Sequence, residues 1–198
     1  MKIIIVQGMA CVGKSSLCNR LEQTLPNCKY ISFDRYKEDL WDEKGFDTTE
    51  RRAELTNIAK TLFYIDTVRL IESNNYNYIL LDYTFTAKYW EELTTILRDI
   101  TDRNVKDMDI KTIYLKPTNL QDHQETWNKR SRDFSVRHPG HGATSYNNKT
   151  KVGENYINRY DTKVYLDMPV TEKNIQVSVE FKPYKLDKTY EEKYLFII

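Results

Sequence analysis

The apolar run Ile3-Ile4-Ile5-Val6 leads within two residues into Gly8-Met9-Ala10-Cys11-Val12-Gly13-Lys14-Ser15. That junction constrains the fold more than any other feature of the chain. The run is long enough for one buried strand, and residues 14–25 read as a helix. The octet matches G-x-x-x-x-G-K-[ST], and strand, glycine turn and helix start is the setting in which that pattern holds phosphate. Gly8 and Gly13 permit backbone geometries closed to other residues, so successive N–H groups can turn inward on a polyphosphate. The positive end of the following helix adds to the attraction. On this reading Gly8, Met9, Ala10, Cys11, Val12, Gly13, Lys14, Ser15 and Ser16 line a nucleoside triphosphate. Lys14 reaches the β- and γ-phosphates, and the Ser15 hydroxyl enters the shell of a Mg²⁺ ion. A glycine turn with a chance Lys-Ser is the bland alternative; it leaves the flanking strand and helix unexplained.

With 198 residues the chain fits one domain, 1–198, able to bury a real core. A net charge of +1 provides no global basic field, so indiscriminate nucleic-acid binding is not favoured. The cysteines, Cys11, Cys18 and Cys28, are not spaced as zinc ligands, and no leader is expected before a strand that begins at Lys2. Reduced thiols and a cytoplasmic location are the expectation. Apolar runs of four or five residues do not span a membrane.

The pattern predicts alternating strands and helices. A second strand covers residues 29–33 and ends at Asp34, and a polar, irregular stretch follows over 37–48. Thr49 is placed as the cap of a long helix over 50–72, a third strand covers 78–81 and closes at Asp82, and a helix covers 87–100. A fourth strand over 110–115 stops at Pro117, and a polar helix follows to about 133. Residues 137–148 are rich in glycine, histidine and asparagine, and a lid over about 119–150 is the reading. A short helix over 153–161, a fifth strand over 175–181 and a docked C-terminal helix complete the expectation. The class is α/β: a parallel sheet of five strands with helices on both faces and a mobile lid. In such sheets ligands collect at the carboxyl ends of the strands.

Phosphoryl transfer needs a cradled donor, a held metal, a deprotonated acceptor and neutralised charge. Asp34, at the end of the second strand, is the candidate general base; the competing reading is a helix cap or an ion-pair partner of Arg35. Asp82 closes an apolar strand in the manner of a Walker B aspartate, placed to meet Mg²⁺ through water, although strands also end in aspartate for turn reasons. Arg130, Arg132 and Arg137 stand beside the glycine-histidine segment, where arginines can fold over phosphates; a solvated basic face is the alternative. His138-Pro139-Gly140-His141 makes a poor zinc site and reads as a turn, and His123 is too isolated to add a ligand.

These residues resemble the small phosphate-loop kinases that include chloramphenicol phosphotransferase, zeta-toxin-like kinases and polynucleotide 5′-kinases, and most of all bacterial AAA-family ATPase kinases. The likeness rests on Gly8–Ser15, on the segment from Ser32 to Leu40, on Ile79-Leu80-Leu81-Asp82, and on Arg130-Ser131-Arg132 followed by Arg137-His138-Pro139-Gly140-His141. It implies a sheet of the nucleotide-kinase kind, ATP with Mg²⁺ as donor, and a hydroxyl as acceptor. In relatives an aspartate after the second strand is the base, which Asp34 matches, and lid arginines contact the donor phosphates, the positions of Arg130, Arg132 and Arg137. Asp82-Tyr83-Thr84-Phe85 departs from the Asp-Xaa-Asn type of pattern common in relatives, and Cys11 and Val12 replace smaller or more polar loop residues.

Three functions compete. A kinase acting on a small hydroxyl compound (an antibiotic, nucleoside or sugar derivative) comes first, and a polynucleotide 5′-hydroxyl kinase second. The third is a nucleotide-driven switch. Asp42-Glu43-Lys44-Gly45 mimics a switch motif but follows no predicted strand, and no Asn-Lys-Xaa-Asp guanine motif is present.

Overall fold

The computed structural model describes residues 1–8, 10–83, 87–104, 109–117, 120–130, 138–141 and 174–179. Its elements run β1 (Lys2–Gly8), α1 (Lys14–Thr24), β2 (Cys28–Ser32), α2 (Phe33–Lys44), α3 (Thr49–Ser73), β3 (Tyr78–Asp82), α4 (Ala87–Asn104), β4 (Asp109–Pro117), α5 (Leu120–Arg130), a 3₁₀ turn (Pro139–His141) and β5 (Asn174–Val179). The strands lie in the order β2-β3-β1-β4-β5. Every pairing is parallel.

Period-two alternation along the strands divides the interior into two cores. Ile3, Ile5, Ile31, Ile79 and Leu81 face one side and pack with Ala59 and Phe63 of α3 and with Leu93, Leu97 and Ile100 of α4. Ile4, Val6, Tyr30, Leu80, Ile113 and Leu115 face the other and pack with Leu17, Cys18 and Leu21 of α1. Central strands covered on both faces read as continuous apolar runs, which is why β1 and β3 are so plain in the sequence.

Two local expectations are corrected. The stretch read as irregular is helix as far as Lys44, and Asp34 lies in its first turn rather than at a strand end. The helix is polar because it buries only a narrow stripe: Phe33 and Trp41 are fully inside, and Tyr36 and Leu40 pack against the first core. Phe33 is the first residue of that stripe, not the last of a strand. Gly45, at φ 64°, ends the helix, its N–H donating to the Trp41 carbonyl at 3.0 Å. The cap of α3 is Thr48, not Thr49: its Oγ1 accepts from Arg51 N at 3.1 Å. The short helix over 153–161 and the C-terminal helix lie outside the described residues. Among the described residues no helix is long and apolar enough to cross a membrane.

Candidate active site

The glycine loop turns between β1 and α1 in backbone that few residues can adopt. Gly8 has φ 146°, and a Cβ there would sit 2.5 Å from the Leu115 carbonyl oxygen of the neighbouring strand. Gly13, at φ 97°, is the cap residue of α1. Both positions therefore demand glycine for physical reasons. Cys11, with φ 64°, is left-handed without being glycine, an unfavourable state that the surroundings must hold.

Lys14 is buried and its Nζ donates to the Gly8 carbonyl at 3.1 Å, so the ammonium lies back along its own loop. Ser15 Oγ donates to Asp82 Oδ2 at 2.6 Å. Parallel pairing sets Val6, Asp82 and Ser32 at one level, which brings a residue 67 positions away in sequence onto the first turn of α1. Tyr30 donates its hydroxyl to the same Oδ2 at 3.0 Å. Burial raises the Asp82 pKa, against the pull of Lys14 and of the Ser15 and Tyr30 hydroxyls, with Asp34 adding to the rise. A hydroxyl and a carboxylate at hydrogen-bond distance are hard oxygen donors of the kind Mg²⁺ takes, and that ion characteristically uses one or two protein groups plus phosphate oxygens. Ser15 and Asp82 fit it.

Asp34 lies in the first turn of α2. Its Oδ1 accepts from Lys37 Nζ at 2.6 Å, one helical turn on, and its side chain is 56% exposed. Protein atoms crowd the carboxyl and push its pKa up, but Lys37, with lesser help from His141 and Lys14, outweighs them and holds it at about 2. The carboxylate is accessible to solvent yet close enough to Lys14 and Asp82 for each to act on its titration or be acted on by it. Arg35 is not its partner: that guanidinium donates to Asn19 Oδ1 at 3.1 Å and lies over the Tyr30 ring at 4.9 Å.

The His-Pro-Gly-His segment is indeed a turn, and it docks on α2. His138 Nε2 meets Asp42 Oδ1 at 2.8 Å and His141 Nε2 meets Glu38 Oε1 at 2.7 Å. Both imidazoles lie against Trp41, with ring centroids 5.5 and 5.1 Å from it. Residues 34, 37, 38, 41 and 42 recur at one-face spacing on a helix, so the turn covers the face that carries Asp34. Gly140 fits because it has no side chain: a Cβ would come within 2.5 Å of Trp41 Cε3 and 2.8 Å of His138 Nδ1. Gly140→Ala is therefore expected to cost about 1–3 kcal/mol through overpacking and to loosen the turn from α2. Thermal unfolding and Trp41-dependent fluorescence check this; a wild-type melting temperature would contradict the docking.

Of the remaining sequence-predicted residues, Val12 is buried in the second core and Ser16 lies in α1. Arg130 is the last residue of α5. Met9, Arg132 and Arg137 lie outside the described residues, as does most of the proposed lid. Sequence reasoning missed four participants. Glu38, Trp41 and Asp42 were hidden in the segment taken as irregular. His123 of α5 is buried, with Nε2 at 2.9 Å from the Ala10 carbonyl oxygen; its only signal was an i,i+4 pairing with buried Trp127. All three cysteines are free thiols, and burial, with Glu22 nearby, pushes Cys28 up to about 12.

The fold recurs in solved proteins. A candidate kinase from Chloroflexus aurantiacus J-10-fl superposes with a TM-score of 0.67 at 16% identity, over 99% of this chain and 97% of its own. A structure from the PezAT chromosomal toxin–antitoxin system of Streptococcus pneumoniae gives 0.52 at 11% identity, over 89% of this chain and 68% of its own. The fold is the one these proteins share. No family model matches the chain, and no curated protein matches it. At such identities the likeness extends to architecture, and the chemistry has to be argued from the residues.

Proposed function

We propose that this chain is an ATP- and Mg²⁺-dependent phosphotransferase that moves the γ-phosphoryl group to a hydroxyl of a small molecule. The observation that carries the reading is the placing of Lys14 and the Ser15–Asp82 pair on one glycine loop, with Asp34 near enough to exchange electrostatic influence with Lys14 and Asp82. Bound Mg²⁺ would neutralise charge on the β- and γ-phosphates. Lys14 swings from the Gly8 carbonyl to the same oxygens. Asp34 accepts the proton of the acceptor hydroxyl as that oxygen bonds to the γ-phosphorus, and the bond to the β-bridging oxygen breaks to release ADP. Arg130, Arg132 and Arg137 are proposed to neutralise the transferring charge, with the segment over about 119–150 acting as the lid and the whole chain as one kinase domain. The exposure of Asp34 leaves room for an acceptor beside it. A polynucleotide 5′-hydroxyl would suit the same base, but a chain of net charge +1 offers little to a polyanion. A protein with these features would work in the cytoplasm.

Two variants probe the metal pair. Ser15→Ala is expected to raise the Mg²⁺ concentration needed for half-maximal turnover while nucleotide binding persists; a Mg²⁺ titration identical to wild type would remove Ser15 from the metal shell. Asp82→Asn should also raise that concentration, yet leave the melting temperature unchanged or higher. The folded pKa of Asp82 lies above the unfolded value, so its ionised form opposes folding above about pH 4. The amide removes this cost while its oxygen can still accept from Ser15 and Tyr30. A large loss of thermal stability would show that the charge itself holds the fold.

A further inference from the structure

Among the described residues, His123 is a buried polar side chain that touches the phosphate loop and has no part in the reading above. It stands in the first turn of α5, is 1% exposed, and reaches the Ala10 carbonyl oxygen at 2.9 Å. A carbonyl oxygen only accepts, so the proton sits on Nε2 and the imidazole donates. Burial holds its pKa below the usual histidine range, with the hydrogen bond to Ala10 opposing and Lys14 reinforcing that shift. At neutral pH the donor is thus the uncharged ring.

The bond acts on one peptide plane. In a trans peptide the C=O of one residue and the N–H of the next point in opposite directions, and the structure has no cis bond among the described residues. Holding the Ala10 C=O toward α5 therefore turns the Cys11 N–H away from α5. Cys11 is also the residue held at φ 64° without being glycine, so this plane is where the loop most needs an external restraint. We propose that His123 is a positioning residue of the donor site, fixing the Ala10–Cys11 peptide so that the Cys11 N–H is presented to the polyphosphate. Only the last clause rests on the nucleotide reading; the restraint on the loop does not.

Two conservative variants separate the donor from the ring. Glutamine places its amide nitrogen near the Nε2 position, and asparagine places its own near Nδ1. In the ligand-free protein, hydrogen exchange over residues 10–13 is expected to quicken about five- to tenfold in His123→Asn and to stay near wild type in His123→Gln, the scale of one net hydrogen bond. MgATP affinity, measured by calorimetry, should weaken by a similar factor in the asparagine variant alone, with both variants melting at similar temperatures. Equal exchange and affinity in wild type and both variants would overturn the proposal. So would equal impairment of both, because the contribution would then be ring packing. If exchange follows the expected pattern while the wild type binds no MgATP, the restraint stands and the nucleotide reading falls.

Discussion

Lys14→Ala is expected to abolish phosphoryl transfer and to weaken MgATP binding strongly. The lysine is buried at the start of α1 and bonded to Gly8 O, so its ammonium already lies within the loop that would hold the phosphates. Removing one preorganised donor from a charge-stabilising site lowers turnover by about 10²–10³-fold, and the lost ground-state contact to the β- and γ-phosphates adds a deficit in affinity. Lys14 also offsets the cost of burying Asp82, so the variant leaves that carboxylate without a cationic neighbour inside the loop. Lys14→Met, which keeps most of the bulk, controls for packing. Calorimetric titration with MgATP and a coupled turnover assay check the expectation. Unchanged affinity and turnover in a folded Lys14→Ala protein would sink the nucleotide reading.

Asp34→Asn is expected to lower turnover by about 10²–10⁴-fold while leaving ATP affinity near wild type. The amide keeps the shape and loses the proton acceptor, and the proposed donor site, Gly8–Ser15, lies on other elements. Loose phosphoryl-transfer transition states need limited help with deprotonation, which favours the lower end. With a pKa of about 2, Asp34 is ionised across the working range, so it should add no acid limb to the rate profile above about pH 4. The same shift has a stability consequence of definite sign. The folded pKa lies below the unfolded value, so the Asp34–Lys37 pair supports the fold above about pH 4 and that support is lost as pH falls toward 2. Solvent reaches the pair, so the contribution is small. Should turnover survive in Asp34→Asn, the residue is a positioning group, and Asp82 becomes the next candidate base.

Strands β1 and β3 were legible because burial on both faces removes all polar interruption, as Ile3-Ile4-Ile5-Val6 and Ile79-Leu80-Leu81 display. The glycine turn between β1 and α1 was legible because its glycines answer to sterics that any sequence must obey. Helix α2 was not. Its buried stripe is so thin that charge density resembled a loop, and Phe33 was claimed by the preceding strand. That one error hid Glu38, Trp41 and Asp42, and with them the surface on which His138 and His141 dock. The pairing of His123 with Ala10 spans 113 positions. A single histidine on a polar helix carries no mark of so distant a partner, whereas Ser15 and Asp82 each belonged to a motif that named its counterpart.

The central claim is transfer of the γ-phosphoryl group to an organic hydroxyl. The direct measurement supplies γ-labelled ATP and Mg²⁺ to the wild type and to Asp34→Asn, with a panel of antibiotics, nucleosides, sugar derivatives and 5′-hydroxyl oligonucleotides as acceptors. The expected result is label in an organic phosphate ester formed by the wild type and reduced at least about 100-fold by the substitution. Label released only as inorganic phosphate, at equal rates from both proteins, would contradict the account and favour a nucleotide-driven switch.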